Sequence, residues 1–495
     1  MTLSRRKLLA LVGRVASALL VLAALLALTW WGTGAPPATE RDVGATAIPA
    51  PVADVVYACP AAPNNTIGGV DLDEATTTTT ITALDADSTL TYGSAELDGT
   101  TTLDTAEGGV LTVVAPGREP TGAVGVVTAL TAGGDLRGLT AAPCTAPASV
   151  AWIVGGSAAV GSSAELRLTN PGVTTVTATI HLYGSTGELT LPSSGQVSVS
   201  AGETTAVLLE TAGALDDRLA LSVEVDGGSL IPVLVTESLD GETPAGVDTL
   251  TAGAAPATEL TIPGVVLVDA ADQGEAEADG AASSDAPAVR VVNPAAVPAT
   301  VSISLVGADG EEELPGATAV TVDPGAVFDI SLAGVAPGAY AVHVTSDTAV
   351  GAAAKLVRSA GEYPERSGAL AHDTAWVQAT AADATRGAVL ALPRENGLEA
   401  SVVLTNTGAD AATVVLTAAA GEWTKEITVP AATTLTAEVP EDVSGLIISG
   451  PDDQQVAAAA VVTAEVKGDV PGTLISVVPT VPDAAAQGAL DLLLQ

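Results

Sequence analysis

Lysine is almost missing from this chain: Lys7, Lys355, Lys425 and Lys467 are the only four in 495 residues. Against 17 basic side chains stand 58 acidic ones, for a formal net charge of −41. A surface of that sign repels phosphate backbones and excludes nucleic acid as a partner. The acidity reads first as solubility and self-repulsion; weak binding of divalent cations at clustered carboxylates is the rival reading. Aromatics are equally scarce, at 2% with a single Phe. Stacking platforms for sugars or bases are therefore few. Histidine occurs three times and cysteine twice. The chain has no His-Glu-x-x-His zinc motif, no Gly-x-Ser-x-Gly elbow, no Walker loop and no dinucleotide fingerprint. A glycosidase built on two distant carboxylates is compatible with any such sequence, but the scarcity of aromatics argues against one. The expectation is a protein that is not an enzyme, with no cofactor, no metal and no catalytic residue.

What is present is Val, Ile, Thr, Ala and Leu in short alternating runs, punctuated by 51 Gly and 30 Pro. β-branched residues suit a pleated, half-buried surface, and frequent turn residues suit sandwiches, so the composition predicts an all-β fold. The length predicts several domains rather than one core.

The N-terminus predicts the compartment. Arg5, Arg6 and Lys7 precede a largely apolar run over residues 8–31, interrupted by Gly13 and Arg14. As a helix, residues 8–28 would extend roughly 31 Å, enough to cross a bilayer. Trp30 and Trp31 sit where an interfacial aromatic belt belongs. The expectation is one transmembrane anchor with the basic end inside and everything after Gly32 outside. Cleavage as a signal peptide, giving a secreted protein, is the alternative. A twin-arginine signal over Ser4-Arg5-Arg6-Lys7-Leu8-Leu9 is a looser one. Residues 32–51, with four prolines, read as an extended linker.

Cys59 and Cys144 flank the first module, and an even count in an exported chain predicts a disulfide between them. Unpaired thiols are the rival, since neither has a neighbour at metal-ligand spacing.

From residue 150 a pattern recurs. An apolar strand runs into Asn170-Pro171-Gly172, then into Asn293-Pro294, then into Asn406-Thr407-Gly408. Each is followed by further alternating strands, near 176–184, 299–306 and 413–417. Such spacing predicts tandem immunoglobulin-like β-sandwich modules. The boundaries read as 52–148, 149–253, 254–373 with an acidic insertion at 269–287, 374–483, and a tail at 484–495 forming a short helix. The three asparagines are expected to close strands by bonding their own following backbone, with ligand contact as the rival. Trp152 and Trp376 are expected as core plugs rather than sugar platforms. His181 and His343 read as strand residues, and His372 as a loop residue beside Asp373.

The basic start with a single anchor, the Cys59/Cys144 pair, Trp152-x-x-Gly155-Gly156-Ser157 and the Asn-Pro points together resemble an uncharacterised family. Its members are large exported, membrane-anchored actinobacterial proteins that share a domain of unknown function. The resemblance implies a cell-wall context and carries no catalytic residue. The reading from sequence is a non-enzymatic envelope scaffold at the plasma membrane, single-pass, with its β modules extracytoplasmic and strung in a row. Its partners would be the membrane and an envelope protein. The alternatives are a module binding cell-wall polysaccharide or peptidoglycan, and an enzyme or enzyme accessory of envelope glycan metabolism.

Overall fold

The computed structural model describes residues 16–17, 19–27, 48–49, 54–67, 73–117, 121–269, 286–380, 388–395, 397–450, 456–483 and 491–492. Residues 51–489 form one compact unit. The terminal segments form another, whose described parts are the helical residues 16–17 and 19–27 and the paired strands Ile48–Pro49 and Asp491–Leu492. Two expectations change here. The tail was expected to be helical, but its described residues pair as a strand. The expected membrane-spanning helix is not supported, because no helix among the described residues is long and apolar enough to cross a bilayer. The rest of the 8–31 run, and residues 270–285 of the acidic insertion, lie outside the described residues.

Unit 51–489 is built from strands, as the alternating sequence requires. In the first region two four-stranded sheets face each other. One carries Val55–Cys59 and Gly109–Val114, the other Thr76–Ala83 and Ala123–Thr131. Leu90, Leu111, Ile81 and the Cys59–Cys144 disulfide lie between them. The second region pairs Val150–Val154, Ala220–Asp226 and Val176–Gly184 in one sheet. Its other sheet pairs Thr204–Leu208, Ser162–Thr169, Ile231–Asp240 and Thr243–Thr251. Leu166, Ile180, Leu221 and Leu234 fill the space between. In the third region the 25-residue strand Gly338–Glu362 serves both sheets. Its first half pairs with Ala257–Leu267 and Ala299–Gly307. Its second half pairs with Ala288–Val292 and Leu370–Gln378. The fourth region repeats the scheme with Glu399–Asn406, Val456–Val466 and Gly472–Pro479 facing Ala412–Ala418 and Gly445–Ser449.

The regions are not strung in a row. The closing strands of the regions come together at a common hub: Gly138–Pro143 and Leu370–Gln378 each meet the other three, and Thr243–Thr251 and Gly472–Pro479 each meet those two. The first region reaches the fourth directly: Val124, Val126 and Leu139 share a core with Leu390, Leu446 and Val478. Thr80 and Thr82 bond Glu395 and Ser444 across that contact. Trp376, read as opening the fourth region, stands on the closing strand of the third, and so does His372.

Candidate functional site

Each Asn point is a buried plug. Asn170, Asn293 and Asn406 are at most 1% exposed. Each Nδ2 donates to the carbonyl four residues on (Thr174, Val297, Asp410), at 2.8 Å in every case. It also donates to a strand-end carbonyl, Val199, Val322 or Val429, at 3.0, 3.0 and 3.1 Å. Each Oδ1 accepts the N–H two residues on, from Gly172, Ala295 and Gly408. A primary amide offers two donors and an acceptor, which a turn leaving a ladder needs at once. The asparagines are structural.

Three residues before each plug the repeat faces the preceding region. Arg167 is buried and donates to the Ala61 and Ala62 carbonyls at 3.1 Å each, to Asn64, and to Glu165. Glu237 on the neighbouring strand accepts the Thr66 and Ile67 N–H groups at 2.6 and 2.7 Å. Arg290 spends every N–H on the second region and on its own carboxylate partner. Nε and Nη2 hold Asp329 at 2.8 and 2.9 Å, Nη1 reaches the Gly156 and Leu219 carbonyls, and Nη2 reaches Asp217. Its guanidinium carbon lies 4.7 Å over the Trp376 ring. Burial pushes the Asp329 carboxyl up, but the Arg290 charge and bonds, then Lys355 and Arg218, more than offset this and hold it below the usual carboxylate range. The fourth region carries Val403 at this position, packed into the third region's core.

The hub is satisfied by carboxylates. Asp373 is fully buried, and its Oδ2 accepts the N–H of Ile475 at 2.7 Å and, more weakly, that of Leu139 at 3.4 Å. Asp248 accepts the N–H of Trp376 at 2.6 Å and that of Thr249 at 2.8 Å. Ser476 Oγ accepts the Ala141 N–H at 2.9 Å. The Ile475, Leu139 and Ala141 N–H groups belong to strands that share no ladder with the strand that accepts them, so side chains supply the acceptors that the sheet does not. Burial pushes Asp373 up to about 8, opposed by the Ile475 N–H and the Arg137 charge and assisted by Asp248. Burial also pushes Asp248 up to about 7, opposed by its two N–H donors. Arg137, buried beside them, gives Nη2 to the Val470 carbonyl at 3.3 Å and leaves Nε and Nη1 without a partner, as Asp373 leaves Oδ1. Close approach here demands glycine: a Cβ at Gly246, whose φ is +116°, would strike the Thr374 hydroxyl.

Where the second and third regions meet, a cleft of about 200 Å³ opens. Its floor is the Arg290–Asp329 pair and its walls carry Arg218, Lys355, Asp240 and Ser238. Trp376 lines it but presents no free face, being covered by Arg290 and approached by Gly155, where a Cβ would lie 3.0 Å from the ring. Trp152 is half-buried and stacks on Tyr183, with centroids 5.8 Å apart. The tryptophans are packing residues. His181 bonds Glu188 at 2.9 Å. His343 bonds Glu311 at 2.9 Å, while its Nε2 stands 3.4 Å from Glu259 without hydrogen-bond geometry. His372 faces Ser359 at 3.3 Å. No group of three metal-capable side chains occurs among the described residues. The disulfide expected from sequence is present, with Cα atoms 4.1 Å apart. Sequence reasoning missed Asp248, Asp373, Arg290 and Arg218. The only signal of Asp248, Asp373 and Arg290 was a polar residue amid an apolar strand, and Arg218, in the connection before Ala220–Asp226, had none.

No curated protein matches the chain. Among solved structures it is similar to an α-L-rhamnosidase of Streptomyces avermitilis complexed with L-rhamnose, at 12% identity and a TM-score of 0.12. That match covers 86% of this chain and 57% of the other, so the chain spans little more than half the enzyme's length, and a likeness this weak carries no argument. Residues 99–440, well over half of the chain, match the family of unknown function DUF5719. The chain therefore belongs to the DUF5719 family.

Proposed function

We propose that this chain is a non-enzymatic scaffold or interaction protein of the cell envelope, tethered at the plasma membrane by its basic, apolar N-terminal run. The observation that carries the reading is the hub. Asp373 and Asp248 tie the closing strands of all four regions together, so the chain offers partners one preassembled body. A rigid scaffold binds without the ordering cost of separately mobile modules. The disulfide suits an oxidising compartment outside the cytoplasm, and the acidic surface suits a soluble, non-sticking body there.

The test is fractionation and cross-linking of the full-length chain in intact cells, followed by affinity purification. The expected result is recovery with the membrane fraction, with reduced thiols absent and defined envelope proteins attached. Recovery in the cytoplasm, or turnover of cell-wall glycan by the purified chain, would sink the proposal.

A further inference from the structure

We infer that the cleft between the second and third regions binds a carboxylate-bearing sugar residue, a uronate, held by the guanidinium of Arg218. This ligand assignment is independent of the scaffold reading. In a chain with 17 basic residues, three of them, Arg218, Arg290 and Lys355, line this one cleft. The three differ in what they have left to offer. Arg290 is saturated by Asp329 and three carbonyls. Arg218 makes no side-chain hydrogen bond among the described residues. Its Nε stands 3.8 Å from Asp217 and 3.9 Å from Asp329, ion-pair distances without directed bonds, and its side chain is 31% exposed. A planar fork with open donors, partly shielded from water, is the geometry that takes a carboxylate through two parallel bonds.

The rest of the cleft selects the ligand. Asp217 and Asp240 line it too and are acceptors only. An ionised fatty acid has no hydroxyl hydrogens for them, and inorganic phosphate carries only one or two, on the same centre as its charge. A uronate presents its carboxylate to Arg218 and its ring hydroxyls to the two acids. Val160, 84% exposed on the same lining, offers an apolar edge to the C–H side of a ring. Because Trp376 has no free face, recognition here is polar rather than by stacking.

The experiment is calorimetric titration of the full-length chain with a glucuronate oligosaccharide, with glucuronic acid, with glucose and with inorganic phosphate. Saturable glucuronate binding that weakens with added salt is expected, with glucose at least about tenfold weaker. Arg218→Ala should weaken glucuronate binding at least about tenfold, and Arg218→Lys, which keeps charge but loses the fork, should fall between. Should Arg218→Ala lower the melting temperature, Asp240→Asn at the strand end supplies a second reading, with weakened binding expected. Absence of glucuronate binding, equal binding by glucose, phosphate binding as tight as glucuronate, or unchanged affinity in both Arg218→Ala and Asp240→Asn would each overturn the assignment.

Discussion

The Asn plugs at the edges of the regions and the Asp residues at the hub solve one problem in two ways. Both satisfy backbone groups where a strand loses its ladder partner. At the plugs the orphaned groups are two carbonyls and an N–H within one region, and a neutral amide meets all three. At the hub the orphaned groups are N–H donors arriving from different regions, and only an acceptor serves them. The amide is buried at little electrostatic cost. The carboxylate is buried against its own charge, and its proton affinity rises accordingly. Closure within a region is thus insensitive to pH, while cohesion among regions is tied to a titration.

The largest effect expected is from replacing both Cys59 and Cys144 with Ser. The bridge closes a span of 85 residues, and its loss should cost about 4–5 kcal/mol, confined to the first region. Hydrogen exchange should show the loss there while the plugs at Asn293 and Asn406 stay protected. Next, Arg290→Met leaves Asp329 buried without its partner and should cost about 3–5 kcal/mol in urea unfolding. The double variant Arg290→Met/Asp329→Leu should recover much of that. An Asn293→Ala variant orphans the Val297 and Val322 carbonyls and the Ala295 N–H together. It should cost about 2–4 kcal/mol, equally at pH 5 and pH 8. Asp373→Asn separates hub from plug most sharply. The folded-state pKa of Asp373, near 8, lies above the ordinary carboxylate value. The unfolded chain therefore releases this proton first, and stability contributed here falls as pH rises from about 4 to about 8. Asparagine keeps an acceptor for Ile475 and does not titrate. Relative to the native chain, the variant should gain on the order of 2 kcal/mol between pH 5 and pH 8 in melting curves. A difference that does not change with pH would remove the distinction between hub and plug.

Strands with one wet face were legible. Residues 176–184 alternate in sequence and alternate in burial, and the strand Val176–Gly184 is found there. The Asn points were legible because the plug is made within a few residues of itself. The closing strands were not. Gly138–Pro143 and all but one residue of Thr243–Thr251 are buried on both faces, so no polar alternation marks them. The boundary placed between residues 373 and 374 cuts through another closing strand, Leu370–Gln378. Arg290 and Arg218 looked like ordinary strand and turn residues, since their partners at Gly156 and Asp329 are far off in the chain.

By itself the sequence determined the strand-rich class, the disulfide pair and the turn at each Asn, because alternation, pairing of two cysteines and local hydrogen bonding are written in neighbouring residues. Only the tertiary structure decided that the four regions close on a hub rather than stand in a row, and that a cleft opens over Arg290. Those outcomes depend on which edge strands meet, and the groups that decide it, Asp373 with Leu139 and Ile475, lie 234 and 102 residues apart.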